Sequence, residues 1–212
     1  MKKKVTFLVI SICLCLAGAI GGAFAGFSQK TEEKGTLGIN VKSLGLSIGK
    51  LVLPNEKESE AFVAVPGKEI ALTYNVVNDT PEGYDLYTRV TIDKKWKNNS
   101  EGKLENSLIK PLLEQKEYKA GDMINGWIVT YSDDEQAVMY YTKPLAPGQT
   151  SEDFIQAVSF DPTMGNIYAE QEFGIEFKVD GVQKAVAKNA IPAEWGVYPT
   201  FDANGNITAI AE

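Results

Sequence analysis

Residues 66–92 read PGKEIALTYNVVNDTPEGYDLYTRVTI, and their spacing decides the fold class. After Pro66-Gly67, Ile70, Leu72, Tyr74 and Val76 fall on one face of an extended chain, while Glu69, Thr73 and Asn75 fall on the other. Period-two alternation of this kind is the signature of a half-buried strand. Asn78-Asp-Thr-Pro-Glu-Gly83 is dense in turn formers. A second alternation follows, with Tyr84, Leu86, Thr88, Val90 and Ile92 set against Asp85, Arg89, Thr91 and Asp93. The two runs are expected to pair as an antiparallel unit.

Toward the C-terminus the same grammar recurs. Lys94 to Glu117 is polar and irregular, leaving room for a short helix at Ser107–Leu113 broken by Pro111. Gly126–Tyr131 and Ala137–Thr142 read as strands joined by the polar hairpin Ser132-Asp-Asp-Glu-Gln136. Beyond Pro147-Gly148, Glu152–Val158 suits either a short helix or a strand, and Phe173, Ile175, Phe177 and Val179 restore clean alternation. Asn189–Gly196 looks like a single helical turn with Pro192 near its start. Asp202-Ala-Asn-Gly-Asn206 then marks a hairpin, because Asn-Gly tolerates positive φ.

Toward the N-terminus, Leu37–Leu53 alternates weakly among glycines, as one broken or two short strands. Many short strands with turn punctuation and no long amphipathic helix predict an all-β fold, a jelly-roll-like antiparallel β-sandwich with short helical turns.

The first 28 residues, MKKKVTFLVISICLCLAGAIGGAFAGFS, read as an export signal. Lys2, Lys3 and Lys4 precede an apolar stretch, and the small residues Ala23 and Ala25 suit cleavage before Gly26. A retained anchor is the alternative, since the stretch is long enough to span a bilayer at about 20 residues. Residues 1–25 are thus expected as signal peptide, 26–35 as a flexible arm, and 36–212 as one sandwich domain. Removing the signal takes three lysines away, leaving 18 basic against 28 acidic residues, a net charge of −10. Such a surface repels phosphate backbones and anionic lipid, so nucleic acid is not an expected partner and no mature membrane anchor is expected.

Both cysteines, Cys13 and Cys15, lie within the signal, so the processed chain would have no disulfide or thiolate chemistry. Histidine is absent throughout, which removes the commonest metal ligand and general base. No cofactor, metal site or catalytic residue is expected, and the chain does not read as an enzyme.

Several stretches, taken in order, resemble the camelysin / TasA family of secreted biofilm-matrix proteins. They are the signal ending GAFAGFSQKTEE, the strand pair entered at Pro66-Gly67, the segment Tyr140-Tyr-Thr-Lys-Pro-Leu-Ala-Pro-Gly148, and the tail from Val182-Gln183 to Trp195-Gly196-Val197. The resemblance covers most of the chain. It implies processing by a SipW-type signal peptidase and a jelly-roll subunit of matrix fibres, in which the N-terminal strand of one molecule completes the sheet of another. Its expected partners are other copies of itself or related matrix proteins. One branch of that family is labelled a metallopeptidase, and a chain without histidine departs from that activity at the decisive residue.

Three groups of residues are candidate sites. Leu37, Ile39, Val41, Leu44, Leu46 and Ile48 would form the assembly strand, whose backbone satisfies an exposed sheet edge while alternate side chains fill pockets. The competing reading makes them the first strand of their own domain. Trp96, Trp127, Tyr131, Tyr140 and Tyr141 would serve a monomeric carbohydrate or cell-wall binding module by stacking on sugars, although strand aromatics more often pack in a core. Asp133, Asp134 and Glu135 could collect calcium, but read better as a solvated hairpin tip, and Asp202–Asn206 reads as a turn because its glycine is misplaced for a calcium loop.

Overall fold

The computed structural model describes residues 30–31, 46–50, 65–80, 83–96, 99, 102–169, 171 and 173–212. Its body is a sandwich of two antiparallel sheets. Long strands β3 (Glu69–Asn78), β4 (Leu86–Trp96) and β11 (Phe173–Gln183) carry the alternation that marks them in the sequence. Shorter ones are β5 (Ile109–Leu113), β8 (Trp127–Ser132), β9 (Gln136–Tyr141) and β10 (Ile155–Phe160). Four edge pieces complete the set: β1 (Lys30–Thr31), β2 (Leu46–Lys50), β6 (Lys116–Glu117) and β7 (Met123–Ile124).

One sheet runs β1-β11-β4-β9-β8-β7, with the two-residue β1 and β7 flanking four longer strands; the other runs β2-β3-β10-β5-β6. From β3 onward each of the longer strands passes to the opposite sheet, except at the β8–β9 hairpin. This winding is jelly-roll-like. Between the sheets, Val76, Ile92, Ile109, Trp127, Met139 and Phe154 are fully buried. Ring contacts tie the layers together, with Phe154 5.8 Å from Trp127 and 5.3 Å from Phe177.

The expected β3–β4 pairing does not form. β3 pairs with β2 and β10, whereas β4 pairs with β11 and β9 in the other sheet. Asn78 explains the difference. Its buried Nδ2 donates to the carbonyls of Tyr84 (2.9 Å) and Leu145 (2.8 Å), and its Oδ1 accepts from the Thr80 amide at 3.1 Å. The turn residues therefore build a corner between layers rather than a hairpin within one. Leu86 then exchanges both backbone hydrogen bonds with Leu145, at 2.9 and 2.8 Å.

Ser107–Leu113 also departs from expectation. A 3-10 turn at Asn106–Leu108 leads into strand β5, with Pro111 opposite Val158 of β10. On the outer side β6 pairs only with Leu112 and Leu113, so the missing Pro111 N–H interrupts no ladder there. Glu152–Val158 resolves to strand from Ile155 onward.

A second apolar layer covers the outer face of β4, β9 and β11. Helix α1 (Ala187–Trp195) and the hairpin of β12 (Tyr198–Phe201) and β13 (Ile207–Ala211) fold back upon it. Tyr87, Tyr140, Val182, Ile191, Trp195 and Ile207 are buried at this interface. The helix is longer than one turn, with Pro192 in its interior rather than at its start, and Gly196 ends it in the left-handed conformation at φ 70°. Asp202 closes the hairpin as the sequence suggests, its Oδ1 accepting from the amides of Asn204 (2.8 Å) and Asn206 (2.7 Å).

Candidate functional site

On one side of the sandwich, both sheets end in strands from the N-terminal region. β1 pairs Lys30 with Asp180 and Thr31 with Val179 on β11, and β2 pairs Leu46–Lys50 with Tyr74–Asn78 on β3. β2 and β11 lie beside each other across the two layers, which places both edges on the same flank. Coverage is short. Among the described residues, β1 spans two of the eleven residues of β11, and β2 reaches half of the ten-residue β3. Edge backbone left without a strand partner is a template for another chain.

Of the expected assembly strand, Leu46 and Ile48 lie in β2, opposite Asn78 and Val76. Leu37, Ile39, Val41 and Leu44 lie outside the described residues, as do the cleavage positions Ala23, Ala25 and Gly26. Lys30–Thr31, within the expected arm, holds a strand position on β11.

The five aromatics do not share a surface. Trp96, Trp127 and Tyr141 belong to the inter-sheet core, and Tyr140 lies in the second layer, its ring 5.5 Å from that of Trp195. Trp127 donates to the Glu152 carbonyl (3.1 Å), and Trp96 to the Glu105 carbonyl (3.2 Å), so both indole N–H groups are satisfied inside the protein. A sugar cannot stack on rings packed this way. Only Tyr131 is open to solvent, at 44% exposure.

Tyr131 borders a cleft of about 440 Å³ at the end of the β4–β9–β8 ladder, lined also by Asp93, Lys94, Asn106, Asp133 and Gln136. Most of its polar atoms already have partners. Gln136 Nε2 donates to Asp93 Oδ1 (2.7 Å), and Lys95 pairs with Glu176 (2.9 Å). Asp133 accepts the Tyr131 hydroxyl and the amides of Glu135 (2.8 Å) and Gln136 (2.7 Å). The Tyr131 hydrogen bond, helped by these amides, holds the Asp133 carboxyl below its usual range, and Asp133 correspondingly raises Tyr131. Asp133 thus closes the hairpin tip, and among the described residues no three acidic side chains converge into a metal-binding group.

Two groups in the cleft stand apart. Lys94 continues the inward register of Val90, Ile92 and Trp96, and is 6% exposed. No carboxylate or carbonyl of the described residues pairs with its ammonium, and burial pushes its pKa down against the opposing pull of Glu117, Asp134 and Asp133. Asn106 Oδ1 is buried without a hydrogen-bond partner. Sequence reading passed over both, although extending the alternation two steps past Ile92 puts a lysine on an apolar face.

Elsewhere, Arg89 and Asp180 sit directly opposite each other on β4 and β11, joined by a bond from Arg89 Nε at 3.0 Å and a shorter one from its terminal nitrogen. Trp195 covers the guanidinium, 5.4 Å from ring centre to Cζ. Among the described residues no helix is long and apolar enough to cross a membrane. Compared with family models, curated proteins and solved structures, the chain matches none of them.

Proposed function

We propose that this chain is a secreted structural subunit of extracellular matrix or surface fibres, joined copy to copy through its N-terminal strands. The observation that supports it most is the origin of one flank: the terminal strands of both sheets there come from the N-terminal region, and among the described residues each pairs along only part of its neighbour. A strand held at an edge mainly by backbone pairing can leave its own sheet for an identical edge on a neighbour, because the hydrogen bonds lost and gained are the same. Acidic surface charge suits a subunit that must stay soluble before it joins others. The camelysin / TasA resemblance leads to the same reading.

Deleting 26–34 removes β1, and deleting 36–47 truncates β2. Electron microscopy and sedimentation of the purified protein should show fibres lost or shortened in both deletions. Fibres of unchanged length and yield in each would overturn strand donation by this region.

A monomeric carbohydrate-binding module is the second reading. Tyr131, exposed beside the polar side chains of the cleft, favours it. In a glycan-array measurement Tyr131→Ala should then abolish binding while the fold survives, and an array blank for the unaltered chain removes this reading.

A further inference from the structure

Asp180 on β11 is 2% exposed, and its two carboxylate oxygens fare differently. Oδ2 accepts from Arg89 on β4, whereas Oδ1 is buried and has no hydrogen-bond partner among the described residues. A buried carboxylate oxygen in that state is costly, and a cation is the partner that suits it best. Arg89 stands directly opposite Asp180 on one side, and Lys30 of β1 stands directly opposite it on the other. Opposed residues of antiparallel strands share a face, with Cβ atoms about 4.5–5.5 Å apart. Register thus brings a second basic residue to the acid whose Oδ1 is unmet.

The charges around this pair repeat the match. Glu176, Lys178 and Asp180 alternate along β11 with Phe177 and Val179, which belong to the inter-sheet core. After Thr31 the sequence continues Glu32-Glu-Lys34, outside the described residues. Counting on from Lys30 opposite Asp180 sets Glu32 against Lys178 and Lys34 against Glu176, so opposite signs meet at each position. A slip of two residues either way sets Glu32 against Asp180 or Glu176 and a lysine against Lys178, so like charges meet. A slip of one turns Lys30 to the core face that Val179 occupies.

We propose that residues 30–34 recognise the β11 edge by this alternation of charge, with Lys30 bound to Asp180 at Oδ1 as the anchor that fixes the register. The proposal deepens the assembly reading of this edge and rests on it only for which copy supplies the strand; in the fibre a neighbouring copy does. Backbone pairing alone accepts any extended segment. A buried carboxylate penalises every strand, and every register, that fails to bring it a cation.

Full-length chain carrying Thr31→Cys and Val179→Cys, with Cys13→Ser and Cys15→Ser, reports the register. Positions 31 and 179 are opposed, and opposed Cα atoms about 4.5–5.5 Å apart lie within disulfide reach. Mild oxidation should cross-link this parent, and reversing the arm with Lys30→Glu, Glu32→Lys and Lys34→Glu should slow the cross-link about tenfold. Lys30→Met should slow it too, but not in an Asp180→Asn background, the coupling expected of a lysine that acts through that carboxylate. A parent that does not cross-link, a reversed arm that links as fast as the parent, or a Lys30→Met effect equal in both backgrounds overturns the proposal. Non-reducing gel electrophoresis separates it from the assembly reading. Ladders of linked copies support both, whereas links confined to single chains support the register and overturn donation between copies.

Discussion

The outer face and the free edge of the sheet built on β11 and β4 are finished in different ways. Its outer face is covered by α1 and the β12–β13 hairpin, which bury Tyr87, Tyr140, Ile191 and Trp195 in a second apolar layer. Its free edge, together with that of β3, is covered by Lys30–Thr31 and Leu46–Lys50 through backbone pairing. Apolar burial at about 25 cal/mol per Å² accumulates with each side chain and ties the C-terminal region to its own copy. Backbone pairing at an edge is indifferent to which copy supplies the strand. In the proposed reading, stability and exchangeability belong to separate parts of one molecule.

The largest expected effect breaks both regions together. Phe154→Ala removes a fully buried ring lying between Tyr74, Trp127 and Phe177, and should cost about 3–5 kcal/mol in urea unfolding. A loss below about 1 kcal/mol would mean that the sheets are not held by this inter-layer core. Next comes Asp180→Ala, which leaves Arg89 buried without its carboxylate and should cost about 3 kcal/mol, the lower end for a broken buried pair because Arg89 keeps some solvent contact. Replacing Arg89 by Met in the same chain should recover most of that loss, and an additive double variant would deny the pair its role under the C-terminal layer.

A smaller effect, about 1–2 kcal/mol, is expected from Gly126→Ala. That residue holds φ at 79° in the β7–β8 turn, and an added Cβ would stand 3.2 Å from the Tyr141 ring. Thermal unfolding reads it, and an unchanged melting temperature would contradict the strained turn.

The smallest effect lies at the hairpin tip that closes the C-terminal layer. Hydrogen bonds from the Asn206 side chain and backbone lower the Asp202 pKa from 3.8. A carboxyl that is more acidic when folded contributes stability above its unfolded value and loses it as pH falls through the folded one. Asp202→Ala should therefore flatten the stability loss below about pH 4. An acid limb of unchanged slope would show that this turn does not sense protonation.

Much of the architecture was legible because period two is a local property. Ile70 to Val76, Leu86 to Ile92 and Phe173 to Val179 alternate regardless of what they meet, and each became a strand. The Asp202–Asn206 turn was legible for the same reason, since its hydrogen bonds span four residues. The site was less so. Tyr140 and Tyr141 are adjacent in sequence, yet they enter different apolar layers because neighbouring strand residues face opposite sides of a sheet with both faces covered.

Sequence by itself determined that this protein is built of strands and where most of them turn, because alternation and turn chemistry act over a few residues. Tertiary structure alone decided which sheet each strand joined, since Asn78 reaches Leu145 across 67 positions to separate β3 from β4. It also decided which rings were buried and which stayed open to solvent. Those outcomes depend on packing between distant segments, and no local pattern encodes a neighbour that only folding supplies.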